Sequence, residues 1–251
     1  MDLIAPVSTQ TSAADIPPAV ARSGYAVVQA DGVQAWLQGL DLTPLAPFWN
    51  HLPPDAYLRD GGRYRSRRHG SHVLNGLADS GAVQAVPHRA HWQPLDYNAL
   101  HGGIERWFEP LQPEMGSHPA FHDLLNALAR MATACKPAVT TWYAETHVFR
   151  IDTQGGIGRP TPEGAHRDGV DFVAVFLVNR HQIKGGETRV FESHGPRGER
   201  FTLVQPWSLL WLDDERVVHE TTPIQPLVPD ALGWRDTLVI TLRQGSFQDP
   251  F

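Results

Sequence analysis

Cysteine is nearly absent: Cys135 is the only one in 251 residues, which excludes an internal disulfide and a cysteine-built zinc site. No apolar run approaches the roughly 20 residues that cross a bilayer. The opening stretch Met1–Pro18 lacks the basic n-region and continuous apolar h-region of a secretory leader, so the expected compartment is the cytoplasm. Positive charge is also in deficit. Lys and Arg number 21 against 27 Asp and Glu, for a net charge of −6 with 13 neutral histidines. That balance offers no field to hold a polyanion and excludes a nucleic-acid partner; small molecules are the expected partners. What the chain does have is 22 Gly, 21 Pro and 8 Trp, which suits short strands joined by many turns better than a helical bundle.

Residues 1–22 are rich in Pro, Ser, Thr and Ala without periodicity and read as a flexible arm, leaving 23–251 as one domain. Tyr25–Gln29 reads as a strand, and Asp31 is placed to cap a helix running to Leu40, with Thr43 capping a further short helix. Arg63–Leu74 concentrates four arginines and two histidines, which would line an anionic site or form a solvated edge; the solvated edge is the expectation. Phe121–Ala134 has apolar residues at three- and four-residue intervals and reads as an amphipathic helix that Lys136-Pro137 ends. Beyond it, strand-like runs recur at 139–151, 170–178, 188–192, 200–204, 208–212, 217–224 and 236–242, separated by Gly, Pro, Asn and Asp turns. The expected class is mainly β with flanking α: helical support over about 23–138, then a sandwich or jelly roll over about 139–243.

Most of 13 histidines form chance pairs, so a site needs spacing as well as residue type. In His166-Arg167-Asp168, alternate residues of an extended segment share a face, which lets His166 and Asp168 point at one metal while Arg167 points away. A His-x-Asp pair alone is more often a surface histidine beside a turn aspartate. His219 follows 51 residues after Asp168 in a strand-like run. Two imidazoles and a carboxylate make the facial triad of non-haem Fe(II), with positions left open for a bidentate co-substrate and oxygen. Arg235 and Thr237 share a face of the last strand, where a guanidinium and a hydroxyl can grip a distal carboxylate such as that of 2-oxoglutarate. Arg243, eight residues later on that face, is the alternative anchor.

The stretches Pro160–Glu192, Leu209–Pro226 and Trp234–Leu242 resemble the Fe(II)/2-oxoglutarate-dependent dioxygenases of the bacterial free-amino-acid hydroxylase type, of which L-isoleucine dioxygenase is representative. The likeness covers roughly residues 139–243 and includes the ligand pair, the Gly185-Gly186-Glu187-Thr188 turn, Asp213-Asp214 before the distal histidine, and the Arg-Asp opening of the final strand. It implies a double-stranded β-helix (jelly roll, cupin-like) with N-terminal helices. It also implies iron on His166, Asp168 and His219, which act catalytically through the metal, and 2-oxoglutarate on Arg235 with Thr237 as helper. The implied reaction consumes O2 and 2-oxoglutarate, releases succinate and CO2, and hydroxylates an unactivated carbon of a small amino acid or amino-acid-like substrate. Arg150 is a candidate for the substrate carboxylate and Glu163 for its ammonium, although each also has a structural explanation as an ion-paired or solvated charge. Trp142, Tyr143 and Phe172 are expected in the core, as is Cys135. Two rivals remain: a cupin-like metal-dependent isomerase or hydrolase, and a non-enzymatic β-barrel that binds a small acid through its arginines.

Overall fold

Strands rich in β-branched and aromatic residues carry the C-terminal half, and their alternation decides which face each side chain meets. The structure, a computed structural model, describes residues 9–10, 13–77, 83–98 and 100–250. The N-terminal half holds β1 (Thr9–Gln10), α1 (Ile16–Ser23), β2 (Tyr25–Val28), α2 (Ala30–Trp36), β3 (Arg65–Asn75), β4 (Gln84–Ala85), α3 (Pro113–Gly116) and α4 (Pro119–Cys135). The C-terminal half is β5 (Thr141–Asp152), β6 (Phe172–His181), β7 (Ile183–Gly185), β8 (Thr188–Glu192), β9 (Gly198–Phe201), β10 (Leu209–Asp213), β11 (Val217–Thr221), β12 (Ile224–Pro226) and β13 (Trp234–Arg243). Eight strands form the major sheet in the order β1-β2-β10-β6-β13-β5-β3-β4, while β11-β8-β9 and β12-β7 form two smaller sheets. Residues of the major sheet and of β8 and β11 line one cavity. This is the jelly roll the sequence leads one to expect.

The outer face of the major sheet is covered by helices. Ile16, Ala19 and Val20 of α1 and Phe121, Leu124, Leu125 and Leu128 of α4 pack with Trp142, Val148, Phe176, Trp211 and Leu238 of the strands. Each of the large side chains there contributes roughly 1.5–3 kcal/mol by burial. Trp142 and Phe172 therefore lie in the core as expected, and Cys135 is half-buried against it. No helix among the described residues is long and apolar enough to cross a membrane.

Several boundaries differ from the sequence reading, each for a local reason. Within the arm expected over 1–22, residues from Ile16 onward are the helix α1, because Ile16, Ala19 and Val20 share one buried face, with Pro17 and Pro18 at its first turn. Residues 1–8 and 11–12 of that arm lie outside the described ones. Asp31 sits in the first turn of α2, not at its cap, and the helix stops at Trp36 because Gln38 and Gly39 turn left-handed. Thr43 opens a 3-10 helix (Thr43–Trp49), but the capping oxygen comes from Asp41, which accepts from the Thr43 N–H at 2.9 Å. The largest correction concerns Arg63–Leu74. It is not a solvated edge: β3 lies between β5 and β4, and Arg65, Arg67, His69 and Ser71 alternate onto its buried, cavity-side face.

On the other face of β3, His72 packs edge-on against Phe121 with ring centroids 5.5 Å apart, and its Nδ1 has no partner among the described residues. Burial, with His122 and His69 nearby, pushes its pKa down to about 4. The unfolded chain therefore takes up a proton near pH 6.5 that the folded chain refuses until about pH 4. Stability is fully present above pH 6.5 and falls through that window, by at most about 3 kcal/mol from this group. The urea midpoint is expected to drop less between pH 7 and 4.5 in His72→Leu than in the unaltered chain; equal drops would show that other groups cause the acid sensitivity.

Candidate metal centre

Strand register arranges the inner face of the major sheet as a grid. Across β3, β5 and β13 the rows read Arg65–Ile151–Arg235, Arg67–Phe149–Thr237 and His69–His147–Val239. A fourth row, Ser71–Glu145–Thr241, completes it. Facing this grid, the segment before β6 runs beside β11, where His166 and His219 exchange both backbone hydrogen bonds, at 3.0 and 2.9 Å. That bridge sets the two imidazoles side by side, with ring centroids 4.6 Å apart.

Among the described residues, two groups lie close enough to share a cation. In the first, His166 Nε2 is 3.9 Å from Asp168 Oδ1, and His219 Nε2 is 3.9 Å from Asp168 Oδ2. Adjacent ligands on a metal at bond lengths of about 2.1 Å stand about 3 Å apart, so a small closing movement suffices. His166 Nδ1 donates to the Gly164 carbonyl at 3.0 Å, which fixes the ring and frees Nε2 for a metal. Burial pushes the His166 pKa down, but the carboxylates of Asp168 and Glu163 outweigh it and raise the value. Burial, reinforced by His166, pushes His219 down to about 4, the neutral form a metal ligand needs. Gln93 donates to Asp168 Oδ1 at 3.1 Å and holds that oxygen in place.

The second group, His69, His91, Glu145 and His147, is a poorer metal site. Glu145 spends both oxygens on neighbours: Oε1 takes His69 Nε2 and Arg89, each at 3.2 Å, and Oε2 takes His91 Nδ1 at 2.9 Å. The Arg67 guanidinium lies against His147 Nδ1. Burial pushes the Glu145 carboxyl up, but His91 and His69 outweigh it and hold it well below the usual carboxylate range. Two guanidinium ions in contact with the group would repel a dication, so its chemistry is that of a satisfied polar layer.

The remaining sequence candidates separate clearly. Arg235 is buried and lines the cavity, and its guanidinium is in no ion pair or hydrogen bond among the described residues. Burial and the nearby Arg180 push its pKa down to about 10 against the Asp236 charge, so it remains a cation. Thr237 lines the same cavity. Arg243 does not; its guanidinium donates to the Ser246 and Phe247 carbonyls. Glu163 lines the cavity with Oε2 buried and without a hydrogen bond, the nearest imidazole nitrogens being 3.6 and 3.9 Å from its oxygens. Arg150 departs from expectation: on β5 it alternates away from His147, Phe149 and Ile151 and forms a two-pronged ion pair with Asp236, both contacts at 2.7 Å. It is architectural, and not a lining residue. Sequence reading missed Gln93, Asn98, His101 and Arg106, which line the cavity from a loop without periodicity. It also missed the β3 arginines as lining residues, although their two-residue alternation was visible.

The family model for 2OG-Fe dioxygenases matches residues 46–241. Among solved structures, a bsmA homologue from Methylobium petroleophilum PM1 is 48% identical, with each chain covered completely and a TM-score of 0.90. IDO from Bacillus thuringiensis, at 15% identity, covers 99% of this chain and 100% of its own, with a TM-score of 0.71. The Fe(II)/(alpha)ketoglutarate-dependent dioxygenase TqaL is 19% identical over 92% of this chain and 86% of its own, with a TM-score of 0.67. The last two show likeness of fold alone. No curated protein matches the sequence.

Proposed function

The chain belongs to the 2OG-Fe dioxygenase family, and from that premise we propose that it hydroxylates an unactivated carbon of a small amino acid or amino-acid-like substrate in the cytoplasm. Iron would be held by His166, Asp168 and His219, and 2-oxoglutarate by Arg235 with Thr237. Fe(II), 2-oxoglutarate and O2 together supply the oxidising power for such a step, with succinate and CO2 as the other products. The protein's part is to bind, orient and exclude water. The observation that carries the reading is that the triad and the buried guanidinium of Arg235, in no ion pair among the described residues, line one cavity. Glu163, with its unbonded oxygen in that cavity, is the group we assign to a substrate ammonium. The isomerase and hydrolase readings leave Arg235 without a use, and the small-acid-binding barrel leaves the triad without one.

Loss of a two-pronged charge-assisted contact costs about 1.5–3 kcal/mol, so Arg235→Ala is expected to raise the 2-oxoglutarate requirement by about 10- to 150-fold. An unchanged saturation curve moves the co-substrate anchor elsewhere. The substrate class is tested by oxygen consumption over free amino acids and their N-acyl forms, with product detected as a mass gain of one oxygen atom. If none of them raises consumption, the amino-acid assignment fails while the Arg235 result stands independently.

A further inference from the structure

Away from Arg235 the cavity has a second basic wall that the co-substrate does not explain. Arg65 and Arg67 on β3 are separated from Arg235 and Thr237 on β13 by the whole width of β5, two inter-strand gaps of about 4.8 Å each. Arg106 joins them from the loop. Among the described residues these three buried guanidiniums have one carboxylate in contact, Asp55, which lies 2.7 Å from Arg65 and 3.8 Å from Arg67. Among the described residues the Arg106 guanidinium donates to the Gln93 amide oxygen alone, at 2.8 Å, and the Nε atoms of both Arg67 and Arg106 are buried without a partner. The Arg67 guanidinium lies against the rings of Phe108 and Phe149, 3.5 and 4.3 Å from their centroids, with one terminal nitrogen on His147 Nδ1. A buried cation set against aromatic rings, with its Nε unpartnered and its one neighbouring carboxylate 3.8 Å away, is arranged to receive a planar anion. Burial drives the Arg106 pKa down to about 10, and Arg65 beside it adds to the shift, so an incoming negative charge relieves real repulsion.

Resting on the amino-acid reading above, we propose that Arg67 and Arg106 bind the substrate's α-carboxylate and, with Glu163 on the metal-bearing wall, select a free zwitterionic amino acid over its amide or N-acyl form. Arg106 is tied through Gln93 to Asp168, the amide nitrogen donating to Asp168 Oδ1 and the amide oxygen accepting from Arg106 and Asn98. The carboxylate subsite is thus one side chain away from a metal ligand, which places the rest of a small amino acid beside the iron position.

The test is calorimetric titration, without oxygen, of the chain loaded with Fe(II) and 2-oxoglutarate, using the proteinogenic L-amino acids, their primary amides and their N-acetyl forms. The best-binding amino acid is expected to weaken by about tenfold to a hundredfold on amidation, and by a similar factor in Arg106→Met or Arg67→Met. The amide comparison uses the unaltered chain and so does not depend on either variant folding. An amide or N-acetyl form that binds within twofold of the free acid overturns the subsite, as does an Arg106→Met chain that binds the free acid unchanged. An equal loss of 2-oxoglutarate affinity in Arg106→Met assigns that residue to the co-substrate and likewise overturns it. If no amino acid binds while 2-oxoglutarate does, the amino-acid reading is the one that fails, and this assignment falls with it.

Discussion

Asp168→Ala is expected to strip the chain of iron and, with it, of 2-oxoglutarate-dependent oxygen consumption. Asp168 is the only carboxylate in its cluster, and each of its oxygens faces one imidazole nitrogen at 3.9 Å. Residues that merely orient a metal ligand cost about 10- to 100-fold in affinity when removed, so loss of the ligand itself should exceed about 100-fold. The fold should tolerate the change. The Asp168 side chain is only partly buried, and its hydrogen bond to Gln93 joins it to the loop and not to the core. Iron per chain after anaerobic reconstitution, with a melting curve on the same sample, separates the two effects. The companion variant is His91→Gln, in the other histidine cluster. If that variant also emptied the chain of iron while Asp168→Ala retained it, the metal would belong to Glu145 and its imidazoles.

The convergence of His166, Asp168 and His219 was legible in the sequence because each link in it is local. Two-residue alternation puts the first pair on one face, and the third stands in a short strand just after an acidic turn. Arg235 and Thr237 were legible for the same reason. The far wall was not. A segment as dense in charge as Arg63–Leu74 reads as solvent-facing, and nothing local announces that Asp55, ten residues before Arg65, will neutralise part of it or that the Phe108 and Phe149 rings will lie against Arg67. Arg150 shows the converse failure. Its strand was read correctly, but the face depends on register, and register turned it to Asp236. The helix α1 was hidden because its proline pair resembles linker composition, although Pro at a first turn is compatible with a helix.

Asp214→Ala is expected to cost the chain more stability than any surface change, and the reason lies in three backbone donors. Asp214 is fully buried. Its Oδ1 accepts from the Asp168 N–H at 2.9 Å, and its Oδ2 from Gly169 at 2.7 Å and Val170 at 3.1 Å. Its own N–H donates to the Asp171 carbonyl at 3.0 Å. One carboxylate therefore ties the turn after β10 to the segment that carries two of the three candidate ligands, and Gly169, at φ +78°, supplies the left-handed bend that aims consecutive N–H groups inward. Burial and the nearby Asp168 charge push the Asp214 pKa up, against the pull of those donors, so the carboxylate sits there at a cost that only the three bonds offset. Alanine would leave all three donors unpaired in the interior, at about 1–3 kcal/mol each. Allowing for partial relaxation, the net loss should be about 3–5 kcal/mol, a fall in melting temperature of roughly 6–20 °C for a domain of this size. Asp214→Asn keeps an acceptor oxygen and should lose less of both stability and iron affinity. A melting point within two degrees of the unaltered chain in Asp214→Ala would mean that water or a shifted loop satisfies the donors, and that the ligand segment is positioned by the His166–His219 bridge alone.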